Sequence, residues 1–117
     1  MPMNLSLEQL ASYLDQQRVL LVFAPSAEDA RCLEQRRGLE AHDADLRDRD
    51  LLVFYLLPSG TASLYKHFGI GKNSFTAVLV GKDGTEKKRY DEPVQPDDLF
   101  GTIDQMPMRR REMTDGE

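Results

Sequence analysis

The stretch RVLLVFAPSAEDARC, residues 18–32, decides the fold of this chain. It opens with an arginine and a continuous apolar run, the pattern of a central strand whose two faces are both covered. Pro25 ends the run, and Ser26 is placed to cap a helix, with Asp29 as a weaker partner three residues later. This helix carries Cys32, the only cysteine in the sequence. We therefore predict a buried strand that leads directly into a helix bearing a single thiol.

The remaining segments predict further helices and strands around this centre. A capping box begins a first helix at Ser6, and the apolar face of that helix extends to Leu14. The second helix is expected to reach about Asp45, with Gly38 marking a kink or a break. The later elements follow in order: a strand over 51–57, a short helix over 61–68 closed by Gly69, a strand over 75–80, a hairpin turn at Lys82-Asp-Gly84, a returning strand over 85–90, and a helix from Pro96 that Pro107 ends.

This order of elements predicts a fold class. Two β-α-β units, a hairpin and a closing helix form the thioredoxin-like arrangement of an α/β protein. We expect a central mixed sheet of about four strands flanked by helices, with helix-connected strands parallel because right-handed crossovers bury both faces. Residues 1–113 are predicted to form one thioredoxin-like domain, and residues 114–117 a disordered polar tail.

The composition argues against several classes of partner. The 117 residues are 30% charged and carry a net charge of −5, and the short basic runs at 87–89 and 109–111 each lie beside acids. We expect no nucleic-acid partner, because phosphate binding requires a basic surplus. No apolar run approaches the roughly 20 residues of a membrane span, so no membrane partner is expected. The start lacks a signal peptide, which predicts a cytoplasmic protein as written, or a periplasmic or secreted one if a leader was removed.

Two resemblances follow from quoted segments. The second half of the chain resembles a thioredoxin at SGTA (59–62), FGI (68–70) and FTAVLVGKDG (75–84). A narrower resemblance, over about residues 7–113, is to the domain-of-unknown-function 4174 family, through RVLLVFAP, LRDRDLLVFYL, TAVLVGKDGTEK and LFGTIDQMPMRRREM. This resemblance implies a thioredoxin-like, peroxiredoxin-related fold without a settled activity. The resemblance also implies kinship with extracellular sushi-repeat and matrix proteins, in which the related domain is called the DUDES domain. Within this family the chain resembles a bacterial type.

Cys32 is the residue with candidate redox chemistry. Disulfide reduction within one chain needs a second thiol at C-x-x-C, which the sequence lacks. The span Pro25 to Cys32 resembles the peroxiredoxin motif Pro-x-x-x-Thr-x-x-Cys, which implies the peroxidatic position for Cys32. Asp29 stands where that motif has threonine, and an acid there raises the pKa of a thiol. The arginine of that family falls near Phe75, where Lys72 is the nearby cation.

The alternative interpretation of Cys32 is a buried structural thiol. Free cysteines are among the most often buried residues and behave as small apolar side chains. The cis-proline that thioredoxins carry before the third strand has no counterpart in residues 72–76. We therefore lean against an enzyme, while a single-cysteine thiol peroxidase using Cys32 stays open as the alternative.

The favoured prediction is a non-catalytic binding or scaffold module for an unknown protein or small ligand. Its expected surface is the loop cluster at the carboxyl ends of the strands, where α/β sheets generally bind ligands. This surface comprises the turn at 58–61 with Pro25, Ser26, Asp29, Asn73 and Ser74.

Two arginines outside those loops are also candidates. Arg49 either fixes the entry of the second strand through local hydrogen bonds or turns toward the Pro25 loop as a functional arginine. Arg109 is expected to dock the C-terminal segment or to act as a cation at a helix end. No cofactor is expected, and no metal, because the two histidines lack ligand spacing. Charged side chains on the strand over 85–90 disfavour its pairing with the same strand of a second copy. We therefore predict a monomer or a weak homodimer.

Overall fold

The computed structural model describes residues 7–59 and 61–115, so Ser6 and Gly60 lie outside the described residues. The strands follow in the predicted order, but two helices stand where one was predicted between the first two strands, and a further helix ends the described chain. The elements are α1 (Leu7–Ala11), β1 (Arg18–Phe23), α2 (Ala30–Glu40), α3 (Asp43–Asp48), β2 (Leu51–Leu56), α4 (Ala62–Phe68), β3 (Thr76–Val80), β4 (Glu86–Tyr90), α5 (Pro96–Asp104) and α6 (Pro107–Asp115).

The strands form one mixed sheet in the order β2-β1-β3-β4. β1 and β2 are parallel, while β3 is antiparallel to both β1 and β4. The predicted four-stranded mixed sheet is confirmed, but the expectation that β2 and β3 would be parallel is wrong. At about 1.5 Å per residue, the seven-residue α4 is only about half the length of a six-residue strand. Residues 69–75 then return the chain to the carboxyl end of β1, where Phe23 pairs with Thr76.

Both faces of the sheet are covered, because successive residues of a strand point to opposite sides. All six residues of β1 are buried, as expected for a central strand. One face packs on α2, α3 and α5 through Leu20, Val22, Tyr55, Leu79, Leu39, Leu46, Leu99 and Ile103. The other packs on α1 and α4 through Val19, Leu21, Phe23, Phe54, Val78, Leu10 and Leu64.

The predicted long second helix is two helices with a later start. Residues 24–29 are irregular, and α2 is capped by Asp29, whose carboxylate accepts a hydrogen bond from the Arg31 backbone N–H at 3.0 Å. The prediction of Ser26 as the cap is wrong, because this carboxylate occupies the capping position. The break falls after Glu40 rather than at Gly38. α1 ends at Ala11, so Leu14 leaves its apolar face and is 49% exposed.

The C-terminal segment is helical where a tail was expected. Pro107 ends α5 as predicted, but it also begins α6, because proline is well tolerated at the first position of a helix. α6 includes Thr114 and Asp115 of the predicted tail, while residues 116–117 lie outside the described residues. In the hairpin turn before β4, Gly84 alone of the Lys82-Asp-Gly84 segment has a positive φ, 83°.

Candidate functional site

The predicted site residues fall into two groups at opposite edges of the sheet. The first group, hereafter the loop surface, lies where β1 and β2 end and β3 begins: Pro25, Ser26, Asp29, Asn73 and Ser74. The second group consists of Arg49 and Arg109, which lie at the edge where β1 and β2 begin. The hypothesis that Arg49 turns toward the Pro25 loop is therefore wrong, because a whole strand length separates them.

The loop surface exposes polar side chains to solvent above a layer of buried hydrogen bonds. Ser26, Asn73 and Ser74 are exposed, and their side chains make no hydrogen bond to any other described residue. Beneath them the buried hydroxyl of Tyr65 lies 3.0 Å from the Ala24 carbonyl oxygen and 2.8 Å from that of Leu56, and it can donate to either. These contacts tie α4 to the ends of both parallel strands, so the loops start from fixed positions.

Cys32 lies in the first turn of α2 and faces the sheet. Its side chain is only 1% exposed and packs in the apolar cluster under α2, α3 and α5. Burial raises the pKa of the Cys32 thiol; the charge of Arg36 lowers it in part, and the charge of Asp29 raises it further. A thiol with a raised pKa is mostly protonated at neutral pH, and the protonated form is a poor nucleophile.

Asp29, a member of the loop surface, is held by Arg31 at the start of α2. Arg31 donates from its backbone N–H, Nε and Nη2 to the Asp29 carboxylate at 3.0, 3.1 and 3.1 Å. These hydrogen bonds hold the pKa of Asp29 below its usual value, so the carboxylate is charged at neutral pH. The Arg31 guanidinium also lies 5.7 Å from the centroid of the Phe75 ring. The charges of Asp29 and Arg31 are therefore paired with each other.

The opposite edge carries a partly buried ionic cluster. It consists of four cations and four carboxylates: Arg18, Arg49, Lys82, Arg109, Asp48, Asp50, Asp104 and Glu112. The cluster joins the starts of β1 and β2, the hairpin, α5 and α6. Because buried charges are tolerated only when paired, these residues fix how those elements meet.

One half of the cluster docks α6. Arg109, 5% exposed, donates to the Asp48 carbonyl oxygen (2.9 Å), the Asp48 carboxylate (2.6 Å) and Asp104 Oδ1 (3.0 Å). Arg49 donates to both oxygens of Asp104 at 3.0 and 2.9 Å and to the Asp45 carbonyl oxygen at 3.0 Å. Burial raises the pKa of Asp104, but the two arginines outweigh it and the net shift is downward. Arg109 thus contacts α3 and α5, while one of the three hydrogen bonds of Arg49 is local and the other two reach Asp104 on α5.

The other half joins β1, the hairpin and α6. Arg18, 1% exposed, donates from Nη1 to the Arg49 carbonyl oxygen at 2.8 Å and from both Nη atoms to Glu112 at 3.1 Å. Lys82 Nζ donates to Asp50 at 2.9 Å and to Glu112 at 2.7 Å. Burial lowers the pKa of Lys82 and raises that of Glu112. The ion pairs outweigh burial in both cases, so the net shifts are upward for Lys82 and downward for Glu112.

The sequence patterns did not identify Arg18 and Lys82 as members of this ionic cluster. Arg18 was treated only as the start of an apolar strand, and Lys82 only as a turn residue. A signal did exist for Arg18, since a charge at the head of a strand buried on both faces requires a buried partner. No local pattern identifies that partner, because Glu112 lies 94 positions away in the sequence.

Two features are absent from the described ranges. In residues 7–59 and 61–115 no helix is long and apolar enough to cross a membrane. Over the same ranges no group of three or more histidine, cysteine, aspartate or glutamate residues is arranged to hold a metal ion.

The fold and the single thiol define a class of protein: a thioredoxin-like domain without paired cysteines. Reduced 2-Cys peroxiredoxin from Plasmodium vivax is similar, with a TM-score of 0.72 at 14% identity, over 87% of this chain and 84% of that one. Thioredoxin from Fasciola hepatica gives a TM-score of 0.66 at 15% identity, over 88% of this chain and 96% of that one. At such identities the likeness shows the fold alone.

The chain belongs to the family described as Domain of unknown function (DUF4174), whose model matches residues 9–112. Among curated proteins it is 30% identical to the human Sushi repeat-containing protein SRPX and 24% identical to SRPX2 of Xenopus laevis. These alignments cover 97% and 100% of this chain. The chain spans 29% and 30% of the length of those two relatives.

Proposed function

We propose that this domain is a non-catalytic binding module built on a thioredoxin-like fold. The observation that carries the proposal is the burial of Cys32, whose side chain is 1% exposed and whose thiol pKa is raised by that burial. Thiol catalysis needs the opposite environment, partly exposed and electropositive, in which the thiolate is favoured. The fold therefore keeps its one candidate nucleophile protonated and out of reach of solvent.

The state of Asp29 supports the same conclusion. In the peroxiredoxin-like register, Asp29 stands where threonine would hold the peroxide, and its charged carboxylate raises the pKa of Cys32. Arg31, the cation closest to it in sequence, is engaged by that carboxylate at 3.1 Å. Arg31 is thereby paired with an acid that disfavours a thiolate, and the charge of Arg36 offsets the effect of burial only in part.

We assign binding to the loop surface and infer that its partner is a protein or a small ligand. Ser26, Asn73 and Ser74 offer exposed, unused hydrogen-bonding groups at the edge where α/β sheets generally bind ligands. The curated relatives are named sushi repeat-containing proteins, and the chain spans 29–30% of their length. A domain that works beside others in a longer chain fits a binding role.

Thiol reactivity tests the proposal. Native protein is treated with iodoacetamide and, separately, with hydrogen peroxide at neutral pH, and modification of Cys32 is followed by mass spectrometry. We expect slow modification of the native protein and rapid alkylation in concentrated guanidinium chloride, which exposes the thiol. The Cys32→Ser variant supplies the background for both reagents. Rapid, stoichiometric oxidation of native Cys32 by peroxide would overturn the proposal.

The second candidate function is a single-cysteine thiol peroxidase. One observation favours it: the Pro25-to-Cys32 spacing, which matches that of the peroxiredoxin motif. Under this alternative Asp29 limits the rate, and the Asp29→Thr variant would oxidise faster than the parent protein. Under the binding-module proposal D29T stays slow, because burial, the larger cause of the raised pKa of Cys32, is unchanged.

We infer that the domain is a monomer at moderate concentration. β4 is an edge strand with three exposed cations, of which Lys87 pairs with Asp83 at 2.7 Å and Arg89 pairs with Glu86 at 2.8 Å. Charged side chains along an edge oppose pairing with a second copy. Sedimentation equilibrium is expected to give the monomer mass of 13.3 kDa, and a concentration-dependent dimer would contradict the inference.

A further inference from the structure

A groove of about 560 Å³ lies between the β3–β4 hairpin and the junction of α5 and α6. Its volume falls within the roughly 300–1,000 Å³ typical of small-molecule sites. Two buried cations, Arg18 and Lys82, and two cations of the outer surface, Lys87 and Arg111, line it. Met106 and Met108 add an apolar wall. The groove is at the opposite edge of the sheet from the loop surface.

The buried cations keep unused hydrogen-bond donors. Lys82 is 8% exposed and has three N–H donors, of which Asp50 and Glu112 occupy two. Arg18 is 1% exposed and has five, of which three are used by Glu112 and a backbone carbonyl. Most buried polar groups have at least one hydrogen-bond partner, in the protein or in ordered water. Here two buried cations line an open groove with donors to spare.

Among the residues whose side chains the structure describes, the charges at the groove are unbalanced by one. Its four lining cations are Arg18, Lys82, Lys87 and Arg111. They contact three carboxylates, those of Asp50, Glu112 and Asp83. Arg111 makes no ion pair with any residue whose side chain is described. A single negative charge would balance the set, whereas a dianion such as a phosphate monoester would leave it negative.

We propose that this groove binds a monoanionic carboxylate carried on an apolar group. The carboxylate lies against Lys82 and Arg111, and the apolar group lies along Met106 and Met108. Methionine side chains suit apolar ligands of varied shape because they are unbranched and polarizable. The same chemistry is available from a free carboxylic acid or from the C-terminus of a peptide that ends in an apolar residue. The proposal holds whether or not Cys32 is reactive.

Binding is tested by titration of the ¹⁵N-labelled full chain with hexanoate at low salt, followed by NMR chemical shifts. We expect saturable shifts at residues of the hairpin and of the α5–α6 junction. Hexan-1-ol, which lacks the charge, is expected to cause no such shifts. Saturable binding of hexanol to the same residues, or no hexanoate shifts at the groove, would overturn the proposal.

Matched variants test the role of Arg111, one of the two groove cations on the outer surface. Arg111→Gln removes a lining cation, while Arg110→Gln removes the same charge from the neighbouring exposed residue, which does not line the groove. We expect R111Q to weaken hexanoate binding about three- to tenfold, as for loss of one charged contact, and R110Q less than twofold. Equal weakening by both variants would mean general charge attraction and would refute a built site.

Two peptides distinguish the sources of the carboxylate. A short peptide ending in leucine is compared in free-acid and C-terminal amide forms against hexanoate. Tighter binding of the free-acid peptide than of hexanoate assigns the groove to a peptide terminus. Binding of hexanoate alone assigns it to a small carboxylic acid. Neither outcome depends on Cys32, so failure here is distinct from failure of the binding-module proposal.

Discussion

Arg109 is predicted to be the residue that holds α6 on the domain. The test is Arg109→Met, compared with Arg110→Met one residue later. Arg109 is 5% exposed and donates three hydrogen bonds, whereas Arg110 is exposed and its side chain bonds to no other described residue. Both substitutions remove one positive charge and introduce the same side chain. The difference between them therefore isolates the buried contacts.

The structure gives the size of the expected effect. The bonds from Arg109 to the Asp48 carbonyl and to Asp104 involve a charged donor at partly buried sites, where solvent screening leaves each worth about 1 kcal/mol. The Asp48 carboxylate is 65% exposed, so its pair adds about 0.5 kcal/mol. Asp104 keeps Arg49 as a partner and is not left as an unpaired charge. We expect R109M to lower the free energy of unfolding by about 2–3 kcal/mol, and R110M by less than about 0.5 kcal/mol.

Urea unfolding followed by circular dichroism measures both free energies. A loss of about 2–3 kcal/mol corresponds to a melting temperature lower by roughly 10 °C for a domain of this size. Hydrogen exchange adds a local readout, because loss of the anchor should expose α6 amides before those of the sheet. Equal stabilities of R109M and R110M, within about 0.5 kcal/mol, would refute the conclusion that this contact docks α6.

Three further predictions concern other buried or constrained positions. Glu112 has a lowered pKa in the folded state, so its contribution to stability is complete above its ordinary value of 4.5 and is lost as pH falls through the folded pKa. Urea unfolding at a series of pH values should show this loss, and E112Q should flatten it; an unchanged profile in E112Q would contradict the assignment. Gln35, 1% exposed, exchanges two hydrogen bonds with the Val94 backbone at 3.0 and 2.8 Å, so Q35L should cost about 2–4 kcal/mol in the same assay. A neutral Q35L would show that this bridge is not needed. Gly84 has a φ of 83°, so G84A should cost about 1–2 kcal/mol, whereas G101A within α5 should gain about 0.5–1 kcal/mol, and loss of stability in both would refute the conformational argument.

The sequence by itself determined the strands and the closing helix. The apolar runs at 18–23 and 51–56 and the buried face of α5 follow the expected periods, because burial of one or both faces leaves a local pattern. Gly69 was correctly expected to end α4, and it has the left-handed conformation that glycine favours there. Family membership was likewise available from local segments, and residues 9–112 match the family model. All of these features are encoded within a few consecutive residues.

The tertiary structure alone decided which residues share a site. Arg49 and the Pro25 loop lie at opposite edges of the sheet because Arg49 precedes β2, Pro25 follows β1, and the two strands pair in parallel. The direction of β3 depended on the length of α4 and on the loop that follows it, which no periodic pattern reports. The ionic cluster, which borders the groove, brings together Arg18 and Glu112, which are 94 positions apart in the sequence. Sequence patterns describe the surroundings of each residue along the chain, whereas pairing of buried charges depends on the packing of distant elements.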